Sequence, residues 1–350
     1  MKAHFTGLKI AGIASVIPSN EVKITSYNEA FGEKKVKRIS KSTGVESVHI
    51  VSKGETASDL CYIAAKSLIS ELKIDSDGID AILFVSFSPD YKSPATAIIL
   101  QDRLGLSREV VAMDITFGCS AYVYGLYQAS LLLKAGGCSR VLLCTGDTQS
   151  MMVNPKDRSM RMLVGDAGTA TIVENGTDTF NFYLKCDGSG NDNIRIDAGG
   201  YRNPSTEETR VEIADEDGNI RSMDDLHMQG MEVMKFALTE VPLAVDNVLQ
   251  IADIDKEKVS LYAMHQPNKM ILDSLCLKMD LGAEKMPVGL KNTGNTSAAS
   301  IPLLLSTLAS NGYDFASTED VIACGFGVGL SIGAVNIKLN GTKILPVRKV

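Results

Sequence analysis

The sequence predicts an α/β protein in which one strand–helix unit is written twice. Three observations carry this reading. First, short matches recur at a nearly fixed offset. Gly7-Leu8-Lys9-Ile10-Ala11-Gly12 stands against Tyr183-Leu184-Lys185-Cys186-Asp187-Gly188, and Ala81-Ile82-Leu83-Phe84-Val85 against Val259-Ser260-Leu261-Tyr262-Ala263. Leu104-Gly105 stands against Leu281-Gly282, and Val141-Leu142-Leu143-Cys144 against Val321-Ile322-Ala323-Cys324, so the offset stays within 176 to 180 positions. Second, short unbroken apolar runs alternate with stretches of helical periodicity. Third, 350 residues with 45% hydrophobic and 22% charged content suffice for two such units and exclude a disordered, collagenous or coiled-coil chain.

Ser58 to Leu72 places Leu60, Ile63, Ala64, Leu68 and Leu72 at helical spacing. Ala81 to Val85 is an unbroken apolar run, the mark of a strand covered on both faces. Pro94 to Leu104 reads as a helix with Ser93 as N-cap and Pro94 at its first position. Val110 to Ile115 is a strand. Ala121 to Ala135 is a helix stopped by Gly136-Gly137, and Val141 to Cys144 is a buried strand. The second half repeats the rhythm over Met231 to Ile251, Leu261 to His265, Lys269 to Met279, Ser297 to Asn311 and Val321 to Ala323. Two halves are expected, 1–178 and 179–350, packed face to face with central helices between two sheets. Residues 201–230 lack a counterpart and are polar, so they read as a surface insertion or lid, with Asp215-Glu216-Asp217-Gly218-Asn219 as a turn.

Composition narrows the function. Lys+Arg 35 against Asp+Glu 42 leaves −7, which argues against a nucleic-acid surface. The seven cysteines are scattered without a CxxC, and the four histidines are dispersed, so neither a disulfide framework nor a metal site is expected. Free thiols in this number suit a reducing cytoplasm. The apolar run Ile10 to Ile17 is interrupted by Ser15 and ends at Pro18, too short for a signal peptide. No run of about 18 apolar residues occurs, so no membrane span is expected.

Four segments carry candidate chemistry. In Asp114-Ile115-Thr116-Phe117-Gly118-Cys119-Ser120-Ala121-Tyr122 a strand ends, a tight turn follows, and a long helix begins just after Cys119. A thiol there faces unpaired N–H groups and the positive end of the helix dipole, which should lower its pKa toward the nucleophilic thiolate. In Ala263-Met264-His265-Gln266-Pro267-Asn268 the histidine lies at the carboxyl end of a buried strand, where open α/β sheets place ligands. In Lys291-Asn292-Thr293-Gly294-Asn295-Thr296-Ser297-Ala298-Ala299-Ser300, Asn295 takes the place in its half that Cys119 takes in the other; taken alone the segment also reads as a turn with Asn295 as N-cap. Cys324-Gly325-Phe326-Gly327-Val328-Gly329 is glycine-rich after a strand, lacks the lysine of a P-loop, and offers backbone N–H groups to a carbonyl oxygen.

Gly118-Cys119-Ser120, His265-Gln266-Pro267-Asn268, Gly294-Asn295-Thr296-Ser297-Ala298-Ala299-Ser300 and Gly325-Phe326-Gly327-Val328-Gly329 together resemble the β-ketoacyl-(acyl carrier protein) synthase III family, across nearly the whole chain. The resemblance implies the thiolase fold, a duplicated five-layer αβαβα arrangement, in a homodimer. It implies a decarboxylative Claisen condensation. Cys119 would take an acyl group from an acyl-CoA, with the N–H groups of Cys119 and Val328, in the turn with Gly327, holding the oxyanion. A malonyl thioester on acyl carrier protein would then lose CO₂ while His265 and Asn295 hydrogen-bond its carbonyl, and the enolate would attack the acyl group. Phe326 matches the family's aromatic residue beside that pair. No metal or redox cofactor is implied, since CoA and phosphopantetheine thioesters are substrates.

The substrate-binding parts match less closely. Arg158 and Lys235 fall where the family has cations near the pantetheine tunnel and CoA phosphates. The family's arginine after the HQ-x-N motif is absent; Met270 takes its place and Lys269 precedes it, next to Asn268. There is no Trp to stack the CoA adenine. Lys34, Lys35, Lys37, Arg38, Lys41 and Lys269 form a basic patch suited to an acidic carrier protein, and also read as a solvated charged face. Ser93 stands where a partner subunit's large residue often enters the acyl pocket, which hints at room for a longer or branched chain. Three alternatives stay open: a thiolase with Cys324 as second cysteine, a hydroxymethylglutaryl-CoA synthase-like enzyme with Asp90 as the only acid in its loop, and a non-catalytic subunit. The family also contains specialised members that build polyketide or other acyl precursors.

Overall fold

The computed structural model describes residues 1–350. Its principal elements, in chain order, are β1 (Lys2–Ile17), α1 (Glu33–Thr43), α2 (Ala57–Leu72), β2 (Ala81–Val85), α3 (Thr96–Arg103), β3 (Val111–Ile115), α4 (Ala121–Ala135), β4 (Arg140–Asp147), β5 (Ala167–Cys186), α5 (Gly230–Ala252), β6 (Leu261–Met264), α6 (Lys269–Lys278), α7 (Ser300–Ser310), β7 (Val321–Gly327) and β8 (Ser331–Ile337).

The duplication is written in the ladders. β1 and β5 run antiparallel along each other, with register shifts between Thr6 and Gly12. Beyond that irregularity their outer partners change. Residues 167–174 of β5 pair with β4, whereas residues 181–186 pair with β8. One sheet therefore reads β1–β5–β4–β2–β3, with two antiparallel and then two parallel pairings. The other reads β5–β8–β7–β6, with two antiparallel pairings and one parallel. The expected junction near residue 178 falls inside β5, a strand common to both sheets.

Helix placement follows from which faces are apolar. α2 and α3 cover the outer face of the first sheet with Leu60, Ala64, Leu68, Ala97 and Leu100. α5 and α6 cover the outer face of the second with Ala237, Val241, Val245 and Leu272. α4 and α7 lie between the sheets and share one core with both, through Ala121, Leu126, Ile301 and Leu304. This is the five-layer thiolase arrangement. It explains why β2 is apolar at every position: helices bury both of its faces.

Local chemistry sets the boundaries. α2 begins where the Thr56 N–H donates to Asp59 Oδ2 at 2.9 Å. α3 starts at Thr96, two residues later than its Ser93-Pro94 signal suggests. The N–H groups of Thr96 and Ala97 donate to the Asp114 carboxylate at 2.6 and 2.7 Å, and that carboxylate replaces Ser93 as the cap. β4 and β7 run beyond their apolar cores, to Asp147 and Gly327, and so carry Asp147 and Phe326 into the centre of the molecule. Within the insertion, Gly218 sits at φ 79° in the expected turn, and the segment is tied to residues 154–158 by Asn154–Glu212, Lys156–Glu212 and Arg221–Asp157 contacts.

Candidate active site

Both central helices begin in the same interior region, and each is preceded by one of the predicted site residues. Cys119 lies two residues before α4, where the Ala121 N–H closes the turn on Gly118 C=O at 2.8 Å. Its Sγ is in hydrogen-bond reach of the Val328 N–H and of its own N–H. Neither N–H donates to a backbone carbonyl, so two free donors sit beside the sulfur. The Ser297 hydroxyl lies 4.0 Å from Sγ. Burial pushes the thiol up to about 11, against the pull of the Val328 N–H and the Ser297 hydroxyl. The sequence-based expectation of a lowered pKa is therefore reversed: Cys119 is half-buried, and desolvation of its sulfur outweighs the donors around it.

Gly327 is required by this closeness. It stands at φ 149°, and a Cβ there would come within 2.8 Å of both Cβ and Sγ of Cys119. Gly327→Ala should displace the turn and draw the Val328 N–H off the sulfur. Acylation of Cys119 in a single-turnover assay should slow by about 10² or more, the effect of losing one oxyanion donor. Wild-type acylation by the alanine protein would refute the placement.

His265 follows β6 directly and is anchored by its N–H to Cys324 C=O at 2.8 Å. The ring is buried and packs edge-to-face on Phe326, with centroids 5.4 Å apart at 84°. Nδ1 lies 2.7 Å from Ser300 Oγ. That buried hydroxyl makes no other hydrogen bond, so it satisfies its proton only by donating to Nδ1, which leaves the hydrogen on Nε2. Burial lowers the His265 pKa to about 3, so the ring is a neutral donor. Asn295 is fixed by the same accounting. Its Oδ1 accepts the Ser297 N–H at 2.9 Å, and its backbone is held by Leu163, Gly165 and Gln149. The carboxamide NH₂ is left without a protein partner. Ser297 itself sits at φ 47°, an uncommon conformation for a residue with a Cβ.

A cavity of about 310 Å³ reaches Asn295 between β5's flanking loop, α5 and α6, lined among others by Leu163, Met228, Met231, Met234, Asn268 and Met270. Of the expected substrate-binding residues only Asn268 lines it. Asn268 also caps α6, with its Oδ1 accepting the Ile271 N–H at 2.8 Å. The other four cations face elsewhere. Arg158 donates to Asp217 C=O in the insertion turn, Lys235 lies 3.9 Å from Glu232 on the solvent side of α5, and Lys269 pairs with Asp273. Arg38 is exposed on α1 without an ion pair, as are Lys34, Lys35, Lys37 and Lys41. Cys324 lies within the second outer core and burial raises its thiol pKa strongly. Asp90 turns to Ser58 Oγ at 2.7 Å. Neither stands as an acid or base at Cys119. No group of three metal-ligating side chains exists.

Sequence reasoning did not single out Asp147, nor the roles of Ser297 and Ser300. Asp147 is wholly buried. Its Oδ1 accepts Ser86 Oγ, the Phe87 N–H and Ser88 Oγ at 2.8, 3.0 and 3.1 Å, and its Oδ2 accepts the Ala298 N–H at 3.1 Å. A carboxylate closing an otherwise apolar strand is the signal that could have found it.

Residues 113–188 match the family described as 3-oxoacyl-(acyl-carrier-protein) synthase III, and residues 249–339 match its C-terminal part. Among curated proteins, a putative 3-oxoacyl-(acyl-carrier-protein) synthase 3 of Campylobacter jejuni is 31% identical, over 95% of this chain and 94% of its own. A β-ketoacyl-(acyl-carrier-protein) synthase III of Rhodopirellula baltica is 32% identical, over 94% and 98%. Among solved structures, a 3-oxoacyl-(acyl-carrier protein) synthase of Burkholderia xenovorans superposes with TM-score 0.93 at 35% identity, over 100% of this chain and 99% of that one. With the duplicated five-layer fold and relatedness along nearly its full length, the chain belongs to the 3-oxoacyl-(acyl-carrier-protein) synthase III family of acyl-transferring condensing enzymes.

Proposed function

We propose that Cys119 accepts an acyl group as a thioester and that His265 and Asn295 then drive decarboxylation of a malonyl thioester, whose enolate condenses with the acyl group. The observation that carries this reading is the pair of unengaged N–H groups, from Cys119 and Val328, beside the Cys119 sulfur. They suit the oxyanion of both acyl transfer and condensation. The Nε2–H of His265 and the NH₂ of Asn295 are two neutral donors with no protein partner, as an enolate oxygen requires. Neutral donors stabilise the developing charge without a proton to lose near pH 7.

The cavity at Asn295 suits the pantetheine arm of either thioester. Its lining of methionines is soft and apolar, in keeping with an arm and a thioester more than with a nucleotide. The exposed lysines and arginine of α1 suit an acidic acyl carrier protein. CoA or phosphopantetheine thioesters are the substrates, and no metal or redox cofactor is assigned. β3 ends its sheet with an open edge, and Val111 is exposed on it, which supports a homodimer joined through that strand. No helix is long and apolar enough to cross a membrane, and the seven free thiols support a cytoplasmic site of action.

Intact mass after exposure to a panel of acyl-CoAs and acyl carrier proteins tests the first half. The added mass on Cys119 should identify the acyl group and its carrier. Consumption of malonyl thioester by the acylated protein tests the second half. Failure to consume it with every donor would sink the reading.

A further inference from the structure

Acyl transfer to Cys119 needs a destination for the thiol proton, and the residues assigned above supply none. Neutral His265 has its Nδ1 committed to Ser300 and carries its hydrogen on Nε2. The one hydroxyl in reach of Sγ is Ser297, at 4.0 Å. Asp147 lies beside the same segment: its Oδ2 accepts the N–H of the next residue, Ala298, at 3.1 Å, and the Ser297 hydroxyl favours its charged form. Asp147 Oδ1 is saturated by three donors, while Oδ2 takes one N–H and keeps acceptor capacity. No cation is paired with this carboxylate.

We propose that Ser297 and Asp147 form the proton exit of Cys119. As sulfur attacks the thioester carbonyl, the S–H bond breaks and its electron pair forms the new S–C bond. The released proton passes to Ser297 Oγ while the Ser297 hydroxyl proton passes to Asp147 Oδ2. On collapse of the tetrahedral intermediate, the bond to the donor sulfur breaks and that sulfur leaves with the electron pair. It takes up one proton, and Asp147 returns to its carboxylate.

The electrostatics agree with the geometry. Burial raises the Asp147 pKa to about 6, partly offset by its donors, so it is a carboxylate at neutral pH and a better base than a solvated aspartate. The titratable groups that face it are Cys119 from the turn before α4 and Cys61 from α2. Both are thiols that burial holds protonated.

This proposal rests on Cys119 as the acyl acceptor, and the test separates the two. Iodoacetamide labelling of Cys119, read by peptide mass from pH 4.5 to 9, needs no substrate. Wild type should fall off below pH about 6, where Asp147 becomes protonated, and level off above about 7. D147N and S297A should be roughly a hundredfold slower at pH 7. They should climb about tenfold per pH unit through pH 9, because only free thiolate then reacts. Single-turnover acylation by whichever acyl-CoA loads the wild type should show the same pattern. S297A with the wild-type rate and the wild-type acid limb would overturn the relay. Should D147N fail to fold, judged by its thermal unfolding, S297A alone decides. A wild type that accepts no acyl group but shows an acid limb abolished by S297A would refute the acyl-transfer reading and keep the relay.

Discussion

Cys119→Ser is expected to abolish acyl-enzyme formation, by at least about 10⁴-fold, while leaving the fold unchanged. Loss of a covalent nucleophile is among the largest effects a single substitution has on an enzyme. The replacement differs by one atom, in a turn that Gly118 and Ala121 already close by a backbone hydrogen bond, so thermal unfolding should match wild type. A serine hydroxyl there has the same two N–H groups but a far higher pKa, and a buried carboxylate at about 6 cannot ionise it to a useful extent. The check is intact mass after incubation with the donor that loads wild type. Cys61, Cys144 and Cys324 are buried, and Cys186 is exposed on the far end of β5. A serine protein that still gains the acyl mass at the wild-type rate would transfer the nucleophilic role to one of these thiols, Cys186 first.

What the sequence made legible follows from what is local. The unbroken apolar runs at Ala81–Val85 and Val141–Cys144 mark buried strands because helices cover both faces, and that covering shows in every residue. Asn295 and Cys119 are legible as counterparts because duplicated units place the same turn before the same central helix. The sign of the Cys119 pKa is not local. A helix start and the Val328 and Ser297 donors from the other half pull it down, but desolvation in the packed fold outweighs them and pushes it up. The cations divide along the same line. Lys235 and Lys269 have their carboxylate partners at i−3 and i+4 on their own helices, a pairing legible from spacing alone. Arg158, by contrast, meets the Asp217 carbonyl across the insertion, which nothing in sequence spacing announces. Asp147 escaped notice for a like reason. Its donors come from residues 86–88 and 298, and only the packed fold brings them around one carboxylate.

His265→Ala and Asn295→Ala should separate the two half-reactions. His265→Ala keeps the sulfur, the two N–H groups beside it and the Ser297–Asp147 pair, and Asn295→Ala keeps the sulfur and the two N–H groups while freeing the Ser297 N–H that Oδ1 accepts, so Cys119 should still be acylated in both. Each loses one donor to the enolate oxygen, and malonyl decarboxylation should fall by about 10²–10³, roughly 3–4 kcal/mol of transition-state stabilisation. Because both donors serve one oxygen, the double variant should lose less than the product of the single effects. The pH dependence gives a further check. Burial moves the His265 pKa from its ordinary 6.5 down to about 3. Protonation would charge a buried ring whose Nδ1 already accepts the Ser300 proton, so it is resisted until strongly acid pH. Decarboxylation by the acylated enzyme should therefore show no inflection near 6.5, whereas acylation of the free enzyme should bend near 6 with Asp147. An inflection near 6.5 in the decarboxylation step that disappears in His265→Ala would make His265 the titrating group and remove its neutral-donor role. Ser300→Ala offers a milder version of the same test. With its lock gone the ring is free to take the other tautomer, and decarboxylation should fall without any change in acylation.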